Sequence, residues 1–472
     1  MSDGRGAWAP ERRLLTAGLI GLVTAAAFEG MAVPTVLPAT VEELGGLDLY
    51  GWAFSAFWLT NIIGITLAGG DADRRGPARS LAIGTVLFAA GLVVAGIATG
   101  MPLVIAGRAI QGFGSGAIGS VVYAVIARAY APAARPRMIA LTSSAWVVPG
   151  LIGPALAGLV TDAVGWRWVF LGIVPVLLLM GAAVYPRLAG IGPASRAAEP
   201  SRSGGRRAAD AVQLAAGSTM GLAALSIGSL LPAIVIAAAG GWLALGSLRH
   251  LLPPGSLRLR AGRPSVVAVT FGVAFAFFGT EAFIPLTVVE VRGGSVTLGG
   301  LALSAAAVTW AAGSWLQARA AATGRRRAVV TSGSGLIVVG IGITSLVLLP
   351  GSGWVVAAVG WAVAGLGMGL AYSMLALLIL ETAPPGEEGV SSAALQLMFT
   401  LGTAFGAGIG GAIVALADAG HLQLPGAIGL VDGLMLAVGA LAALVALRVP
   451  RSPTEHLGPR HAPESAVPLE HP

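Results

Sequence analysis

The sequence predicts an all-α integral membrane protein, in which fourteen spans form two pseudo-symmetric six-helix bundles plus two extra central helices. The 472 residues are 56% hydrophobic and 10% charged, with a mean hydropathy of +0.85. A soluble protein of this length carries far more charge. Apolar runs long enough to cross a bilayer, which takes about 20 residues, recur along the chain. A long internal duplication relates the two halves of the chain.

The duplication appears as similar residues that recur at a nearly constant offset. The two embedded glutamates are 281 − 29 = 252 residues apart. Two similar halves, each with a carboxylate in its first helix, are typical of secondary transporters whose site lies between the halves. The recurring pairs are Glu29 with Glu281, Trp58 with Trp310, Arg74 with Arg326, Pro132 with Pro384, and, at 253 residues, Gly112, Gly114 and Gly116 with Gly365, Gly367 and Gly369.

Composition divides the chain into seven segments. The linker is rich in Arg, Gly, Ser and Pro, and the polar, Pro-rich tail is expected to be disordered. The central region can hold two spans near the lower length limit, or it can lie in the membrane interface. The segments are an N-terminal segment (1–13), an N-terminal six-helix bundle (14–186), a linker (187–210), the extra pair of spans (211–248), a loop (249–264), a C-terminal six-helix bundle (265–447) and a tail (448–472).

The arginines predict the orientation. All 28 basic residues are arginine. Arg167 and Arg292 fall in loops on one side, Arg108 is embedded, and the remaining 25 lie in loops and tails on the other side. Positive residues favour the cytoplasmic side, so we expect both termini in the cytoplasm. The net charge of +7 then reflects topology rather than a nucleic-acid partner. The lack of lysine, with abundant Ala and Gly, suggests a high-GC bacterial genome, so we expect the protein in a bacterial inner membrane.

Several functional classes are disfavoured by missing residue types. The chain has no cysteine, and its five histidines fall outside the predicted spans, so we expect no metal site. An intramembrane hydrolase would need an embedded His or Cys, or a Gly-x-Ser-x-Gly elbow, and none is present. An ATP-driven pump would need a phosphate loop with its lysine. We therefore expect no enzyme and no cofactor.

Two embedded glutamates are the main candidates for function. Glu29 lies in the apolar run from Leu14 to Leu37, and Glu281 lies in a second run, 266–288. A charge at mid-membrane costs about 2.5–3.5 kcal/mol on insertion scales. Carboxyl groups in apolar surroundings hold their protons more tightly than in water. We predict that both glutamates take part in proton coupling, with Glu29 favoured. Alternatively, Glu29 only balances an arginine, and Glu281 contacts substrate or lines the cavity.

Two further spans carry unusual residues. Arg108 and Gln111 lie three apart and share a helix face, and the buried guanidinium needs an acceptor, for which Glu29 is a candidate. Alternatively, Arg108 only holds neighbouring helices together. In the fifth predicted span (138–160), two prolines bend the helix and small residues allow close packing, which indicates a hinge or gating surface or simply tight packing. These residues are Pro149, Gly150, Gly153, Pro154 and Gly158.

These motifs resemble the major facilitator superfamily, and more narrowly its fourteen-span proton-coupled drug antiporters, over residues 14–447. The segment 69–76 resembles motif A, the segment 108–114 resembles motif B, and the segment 150–158 resembles motif C, the antiporter signature. The resemblance implies that Asp73, helped by Arg74 and Gly76 after Gly69, stabilises one end state at the inner face. It implies that Arg108 takes part in proton coupling, and that Gly153 and Pro154 shape the moving interface.

The resemblance also implies a function. It predicts an exporter, monomeric and driven by the proton gradient, that moves small amphipathic compounds out of the cell by alternating access. The chain departs from the subgroup in its first span, where Glu29 replaces the usual aspartate, and in motif A, where Asp71 replaces a leucine. An endogenous lipid, siderophore or metabolite is the alternative substrate. Two further alternatives are a sugar-type symporter, which motif C disfavours, and a non-transporting receptor, which would not need duplicated buried carboxylates.

Aromatic and amide side chains in the spans are candidates for the substrate cavity. Aromatic rings suit flat or cationic compounds, partly through cation–π contacts. Each ring could equally be a packing residue or an interfacial anchor. The candidates are Trp58, Gln111, Tyr123, Trp146, Trp310 and Gln396.

Overall fold

The computed structural model describes residues 8–9, 11–131, 134–192, 202–321, 324–384 and 387–451, and the regular secondary structure of these residues is helical. The first half contains α1 (Arg13–Leu44), α2 (Tyr50–Arg75), α3 (Pro77–Gly96), α4 (Met101–Ala129), α5 (Arg135–Ser144), α6 (Val147–Val164), α7 (Arg167–Leu171) and α8 (Ile173–Leu188). A central hairpin follows, α9 (Arg202–Ala224) and α10 (Leu230–Leu251). The second half contains α11 (Arg263–Glu281), α12 (Ile284–Leu286), α13 (Val296–Ala321), α14 (Arg326–Ser345), α15 (Trp354–Glu381), α16 (Glu388–Asp418) and α17 (Leu424–Ala446).

The membrane-spanning character of the fold is confirmed. Within the described ranges, thirteen helical segments are long and apolar enough to cross a bilayer. The fourteenth predicted span, α9, carries Arg206, Arg207 and Asp210 in its first half, and it pairs with α10 and packs on α2. Much of the predicted N-terminal segment, linker and tail (1–7 and 10, 193–201, 452–472) lies outside the described residues.

Two helices differ from the predicted segments. Residues 202–210, which we assigned to the linker, already belong to α9. The predicted fifth span is divided into α5 and α6, with Ala145 and Trp146 between them. Pro149 lies four residues after Ala145, and a proline has no N–H to bond that carbonyl and crowds it sterically. The division therefore follows from the first proline of the Pro-Gly segment.

Glycine packing repeats in both halves, which confirms the pseudo-symmetry. On α4, Gly112 and Gly116 lie against the backbone of α2, while Gly114 lies against α3. A Cβ at any of these positions would overlap the neighbouring helix. The equivalent glycines of α15 do the same, with Gly365 and Gly369 on α13 and Gly367 on α14. The glycine track predicted from the sequence thus holds three helices together in each bundle.

The two bundles touch each other mainly at one end. We call the face where α1 begins and α17 ends the basic face, and the other the opposite face. Near the opposite face, Gly51 of α2 lies against Gly411 of α16, and the Ser55 hydroxyl donates to the Ala404 carbonyl over 2.8 Å. There α6 also contacts α13, where a Cβ on Gly158 would lie 2.5 Å from the Thr297 Cα. The bundles are therefore closed together on this side.

Candidate functional site

A buried ion pair joins the middle of α1 to the first third of α4. The Arg108 guanidinium on α4 donates to the Glu29 carboxylate on α1, and both side chains are at least 97% buried. The same guanidinium donates to the Gln111 amide oxygen over 2.6 Å and to the Ala53 carbonyl over 3.0 Å. Its plane lies over the Phe57 ring at 4.3 Å, a cation–π distance. The sequence-predicted trio of Glu29, Arg108 and Gln111 is therefore a single connected group.

Two polar atoms of this group have no partner. Glu29 Oε2 and Gln111 Nε2 are buried, and neither forms a hydrogen bond with any described residue. Buried polar atoms are nearly always hydrogen-bonded, so each such exception calls for an explanation. A free carboxylate oxygen can accept a proton, and a free amide N–H can donate to a ligand. The group of Glu29, Arg108 and Gln111 can therefore both accept a proton and donate a hydrogen bond to a ligand.

The second embedded glutamate stands at a bend. Pro285 has no N–H to bond the Glu281 carbonyl, so α11 ends at Glu281 and continues through α12 into a π-helical turn, Thr287–Val291. Trp361 occupies the position 253 residues after Arg108 and stacks on Phe277 at 4.3 Å. Consequently Glu281, 8% exposed, pairs with no cation in the described part of the chain. The two halves share their carboxylate but not its counter-charge.

An aromatic cluster surrounds the second predicted tryptophan. Trp310 contacts Phe277, Phe278 and Tyr372 with ring centroids 5.5, 6.2 and 6.4 Å away. The Tyr372 hydroxyl donates to the Gln396 amide oxygen over 3.4 Å. Trp310 and Gln396, both predicted cavity residues, are thus connected through one tyrosine.

The other predicted cavity residues are more dispersed. Half-buried Trp58 packs edge-on against Phe57 at 5.2 Å, which places it next to the ring beneath Arg108. Tyr123 is 57% exposed and close enough to Tyr372 for electrostatic interaction. Trp146 is also exposed, at the junction of α5 and α6. Among the described residues, Trp146 forms no ring contact or hydrogen bond with the ion pair or the aromatic cluster.

Motif A forms an ion pair at the basic face. Arg128 of α4 donates to the Asp73 carboxylate and, over 2.9 Å, to the Ala72 carbonyl. Gly76 adopts φ +90°, a backbone conformation that favours glycine, and this turn connects α2 to α3. Arg74 is exposed, and Gly69 lies loosely beside α4, where its Cβ would be 3.9 Å from the Ser120 side chain.

The second half repeats this ion pair with its charges exchanged. Arg326 of α14 and Glu381 of α15 form a bidentate pair, with distances of 2.8 and 2.9 Å. They lie 253 residues after Asp73 and Arg128 respectively. Each bundle therefore has one such pair at its basic end, with the acid on α2 in the first half and on α15 in the second.

Motif C lies between the two bundles. A Cβ on Gly150 would approach Ala307 of α13 to 3.1 Å, and one on Gly153 would approach Phe28 of α1 to 3.5 Å. Pro149 and Pro154 are buried in the same helix. A Cβ on Gly300 of α13 would overlap the Pro154 carbonyl. The small residues of α6 thus permit close backbone approach to both bundles.

A carboxylate one turn beyond motif C fastens this interface. Asp162 Oδ2 accepts the backbone N–H of Thr297 over 3.1 Å and its hydroxyl over 2.5 Å. Thr297 is the second residue of α13, so Asp162 caps that helix from the other bundle. Sequence reasoning missed Asp162 because it falls just after the predicted fifth span (138–160), where the sequence shows no partner for a carboxylate, whereas the structure places it on α6. It also missed Asp432 in α17, an embedded acid that the rule used for Glu29 would have found.

Comparisons with known proteins agree with this architecture. The sequence profile of the Major Facilitator Superfamily matches residues 18–407. An uncharacterized MFS-type transporter of Mycobacterium tuberculosis is 28% identical over 429 residues, covering 86% of this chain. The chain spans only 60% of that relative's length. A probable multidrug-efflux transporter of the same species is 26% identical over 438 residues, covering 88% of this chain and 92% of the relative.

One further relative and two solved structures are also similar to this chain. Multidrug transporter protein MdtP of Bacillus subtilis is 25% identical over 455 residues, covering 92% of this chain and 81% of MdtP. A POT family transporter crystallised with 5-aminolevulinic acid superposes with a TM-score of 0.66 at 12% identity, covering 94% and 97% of the two chains. A D-xylose-proton symporter superposes with a TM-score of 0.63 at 17% identity, covering 93% and 98%. These structures share the fold.

Proposed function

The chain belongs to the Major Facilitator Superfamily of transporters, and on that basis we propose that it is a proton-coupled exporter of small amphipathic compounds. The observation that carries the proposal is the buried pair of Glu29 and Arg108, with Glu29 Oε2 left unpaired. Removing the charge from one member of such a pair leaves the other charge buried and alone, which is strongly unfavourable. Proton binding at Glu29 would therefore release Arg108 toward other acceptors and alter the contact between α1 and α4.

Coupling requires that proton and substrate influence each other. If protonation of Glu29 changes the affinity for substrate, substrate binding changes the affinity for the proton by the same factor. Gln111 Nε2, unpaired beside the ion pair, offers a donor to a substrate. In this scheme the proton gradient is the only energy source and no cofactor takes part. Glu281 is a second carboxylate available to the proton or to a cationic substrate.

The substrate class follows from the aromatic cluster. Trp310, Phe278 and Tyr372 provide ring faces in the bundle that holds the unpaired Glu281. Flat rings with a negative group nearby suit lipophilic cations. Two relatives carry multidrug-transporter names, which is consistent with this class. We propose that such compounds bind near mid-membrane between the bundles.

We propose that alternating access acts on the contacts near the opposite face. In this structure Ser55, Gly158 and Asp162 join the two bundles there. The arginine distribution supports a cytoplasmic basic face, with both termini inside. We propose that the protein is a monomer in a bacterial inner membrane. Opening the opposite face would then release substrate outside the cell. The ion pair of Asp73 and Arg128 would favour one of the two end states at the cytoplasmic face.

Transport in proteoliposomes with an imposed pH gradient tests the proposal. The probe is a lipophilic cationic dye, and Glu29→Gln is compared with wild type. Glu42→Gln is the matched control, because Glu42 is an exposed carboxylate on the same helix. We expect gradient-driven dye movement in wild type and control, and its loss in Glu29→Gln. Unchanged movement in Glu29→Gln would refute the role of Glu29, and no movement in folded wild type would refute the dye-like substrate class.

A further inference from the structure

A third carboxylate is embedded in the last helix. Asp432 lies eight residues after the start of α17, or about 12 Å from the opposite face along the helix axis. Its side chain is 5% exposed and forms neither a hydrogen bond nor an ion pair with any residue that the structure describes. An isolated ionised carboxylate in apolar surroundings is very costly. The Asp432 carboxylate therefore requires neutralisation by a bound proton or by another bound cation.

A small cavity with a partly polar wall adjoins Asp432. Its volume is about 10 Å³, close to the minimum that holds one water molecule. Three threonines line it together with Asp432, namely Thr280 of α11, Thr287 of the π-helical turn and Thr344 of α14. Apolar residues complete the wall: Phe283, Ile284, Val347 and Ala357.

The three hydroxyls are suited to a neutral carboxyl group. Thr280 and Thr287 donate to the carbonyls of Ala276 and Phe283 over 2.9 and 2.8 Å, so their oxygens remain available as acceptors. The Thr344 hydroxyl is buried and has no partner among the described residues, so it remains available as a donor. A protonated carboxyl has one O–H to donate and one oxygen to accept. The cavity therefore offers acceptors for the carboxyl O–H and a donor for the other carboxyl oxygen, and one water molecule can bridge them.

The charged groups nearby do not neutralise Asp432. Within the described chain, no other ionisable side chain lines the cavity. Arg292 is directed elsewhere, since it donates to the carbonyls of Val347 and Leu349 over 2.5 Å each. Other charged or titratable groups lie on the helices that pack against α17 or contribute a residue to the cavity wall, but their own side chains do not line the cavity. They are Arg263 and Glu281 on α11, Glu290 on the π-helical turn, Arg326 and Arg327 on α14, Glu381 and Tyr372 on α15, and Glu388 and Asp418 on α16.

We propose that Asp432 and the three threonines form a second proton-binding site, with a water molecule joining the carboxyl group to Thr344. The site lies inside the C-terminal bundle, on the side of the opposite face, and its Thr280 is the chain neighbour of Glu281. Its role in transport rests on the proposed proton coupling, whereas proton binding itself does not.

Infrared difference spectroscopy of the purified protein tests proton binding without any transport. Spectra are recorded from about pH 5 to about pH 9, and the carboxylic-acid C=O band is compared in wild type and Asp432→Asn. Asp418→Asn is the control, because Asp418 is exposed on the same face. We expect wild type and control to keep a C=O band at neutral pH that Asp432→Asn lacks. An identical band in all three proteins would overturn the proposal.

A second variant and a second cation sharpen the test. Thr344→Val removes the buried donor, so the Asp432 band should shift to higher frequency while keeping its intensity. An unshifted band would exclude the water-mediated contact with Thr344. Replacing choline chloride by sodium chloride should leave the band unchanged, and its loss in sodium would show a sodium site instead of a proton site. If the band is present but Asp432→Asn still couples dye to protons as wild type does, the site binds a proton without serving transport.

Discussion

Removal of the Asp162 carboxylate should open the opposite face. Asp162→Ala eliminates two hydrogen bonds to Thr297, of 3.1 and 2.5 Å, that join α6 to α13. Each hydrogen bond contributes about 0.5–1.5 kcal/mol net, and solvent exposure favours the lower part of that range. The loss is therefore about 1–2 kcal/mol, which changes the ratio of closed to open protein by roughly 5- to 30-fold. Thr297→Val removes only the hydroxyl bond and should have about half the effect in free energy.

Spin-label distance measurements give this ratio directly. The chain contains no cysteine, so two introduced cysteines are the only labelling sites. Val164 at the end of α6 and Leu349 after α14 are exposed positions near the opposite face, one in each bundle. We expect Asp162→Ala to shift the population toward longer distances. Asp418→Ala removes an exposed carboxylate from the same face and should cause no shift. A distribution for Asp162→Ala identical to that of the control would refute the role of this contact.

Three further predictions concern packing, charge and binding. Gly158→Ala should separate α6 from α13 and also lengthen the label distances, because its Cβ would lie 2.5 Å from the Thr297 Cα; Gly119→Ala, with no neighbour within 4 Å, should not. Asp73→Arg and Arg128→Asp should each lower transport rates by a few fold, since an exposed pair contributes about 0.2–1 kcal/mol, and the double variant should recover. Trp310→Ala should weaken dye binding about 5-fold in fluorescence titrations, with Phe restoring most of it, since an aromatic contact contributes about 0.5–1.5 kcal/mol. Equal dye binding by Trp310→Ala and Trp310→Phe would contradict the binding prediction. No recovery of transport in the double variant of Asp73 and Arg128 would contradict the charge prediction.

The sequence predicted features that depend on unfavourable burial. Glu29 and Arg108 stand out because each is costly in an apolar span, and a buried cation needs an acceptor, so their contact could be anticipated. The glycine tracks of α4 and α15 could be anticipated as well, because close helix packing requires small residues at a fixed spacing. Asp432 is costly in the same way, so the same physical rule would have identified it.

Other features depend on three-dimensional neighbours. The ion pair of Arg326 and Glu381 is hidden from a search for repeated residues, because its charges are exchanged relative to the first half. The offset of 253 residues already shows from the sequence that Trp361 stands in the place of Arg108. Only the fold shows that Trp361 stacks on Phe277 and that no cation of the described chain pairs with Glu281. The role of Asp162 depends on its hydrogen bonds to Thr297, which is 135 residues away in the chain. Such contacts require the fold.

The most direct measurement of the central claim is proton movement driven by substrate. Proteoliposomes that contain a pH indicator receive a gradient of the cationic dye with no initial pH difference, and the internal pH is followed for wild type and Glu29→Gln. The account predicts that dye entering the liposomes drives protons out, so that the internal pH rises in wild type and stays constant in Glu29→Gln. Dye transport by wild type with no change of internal pH would contradict proton exchange as the mechanism.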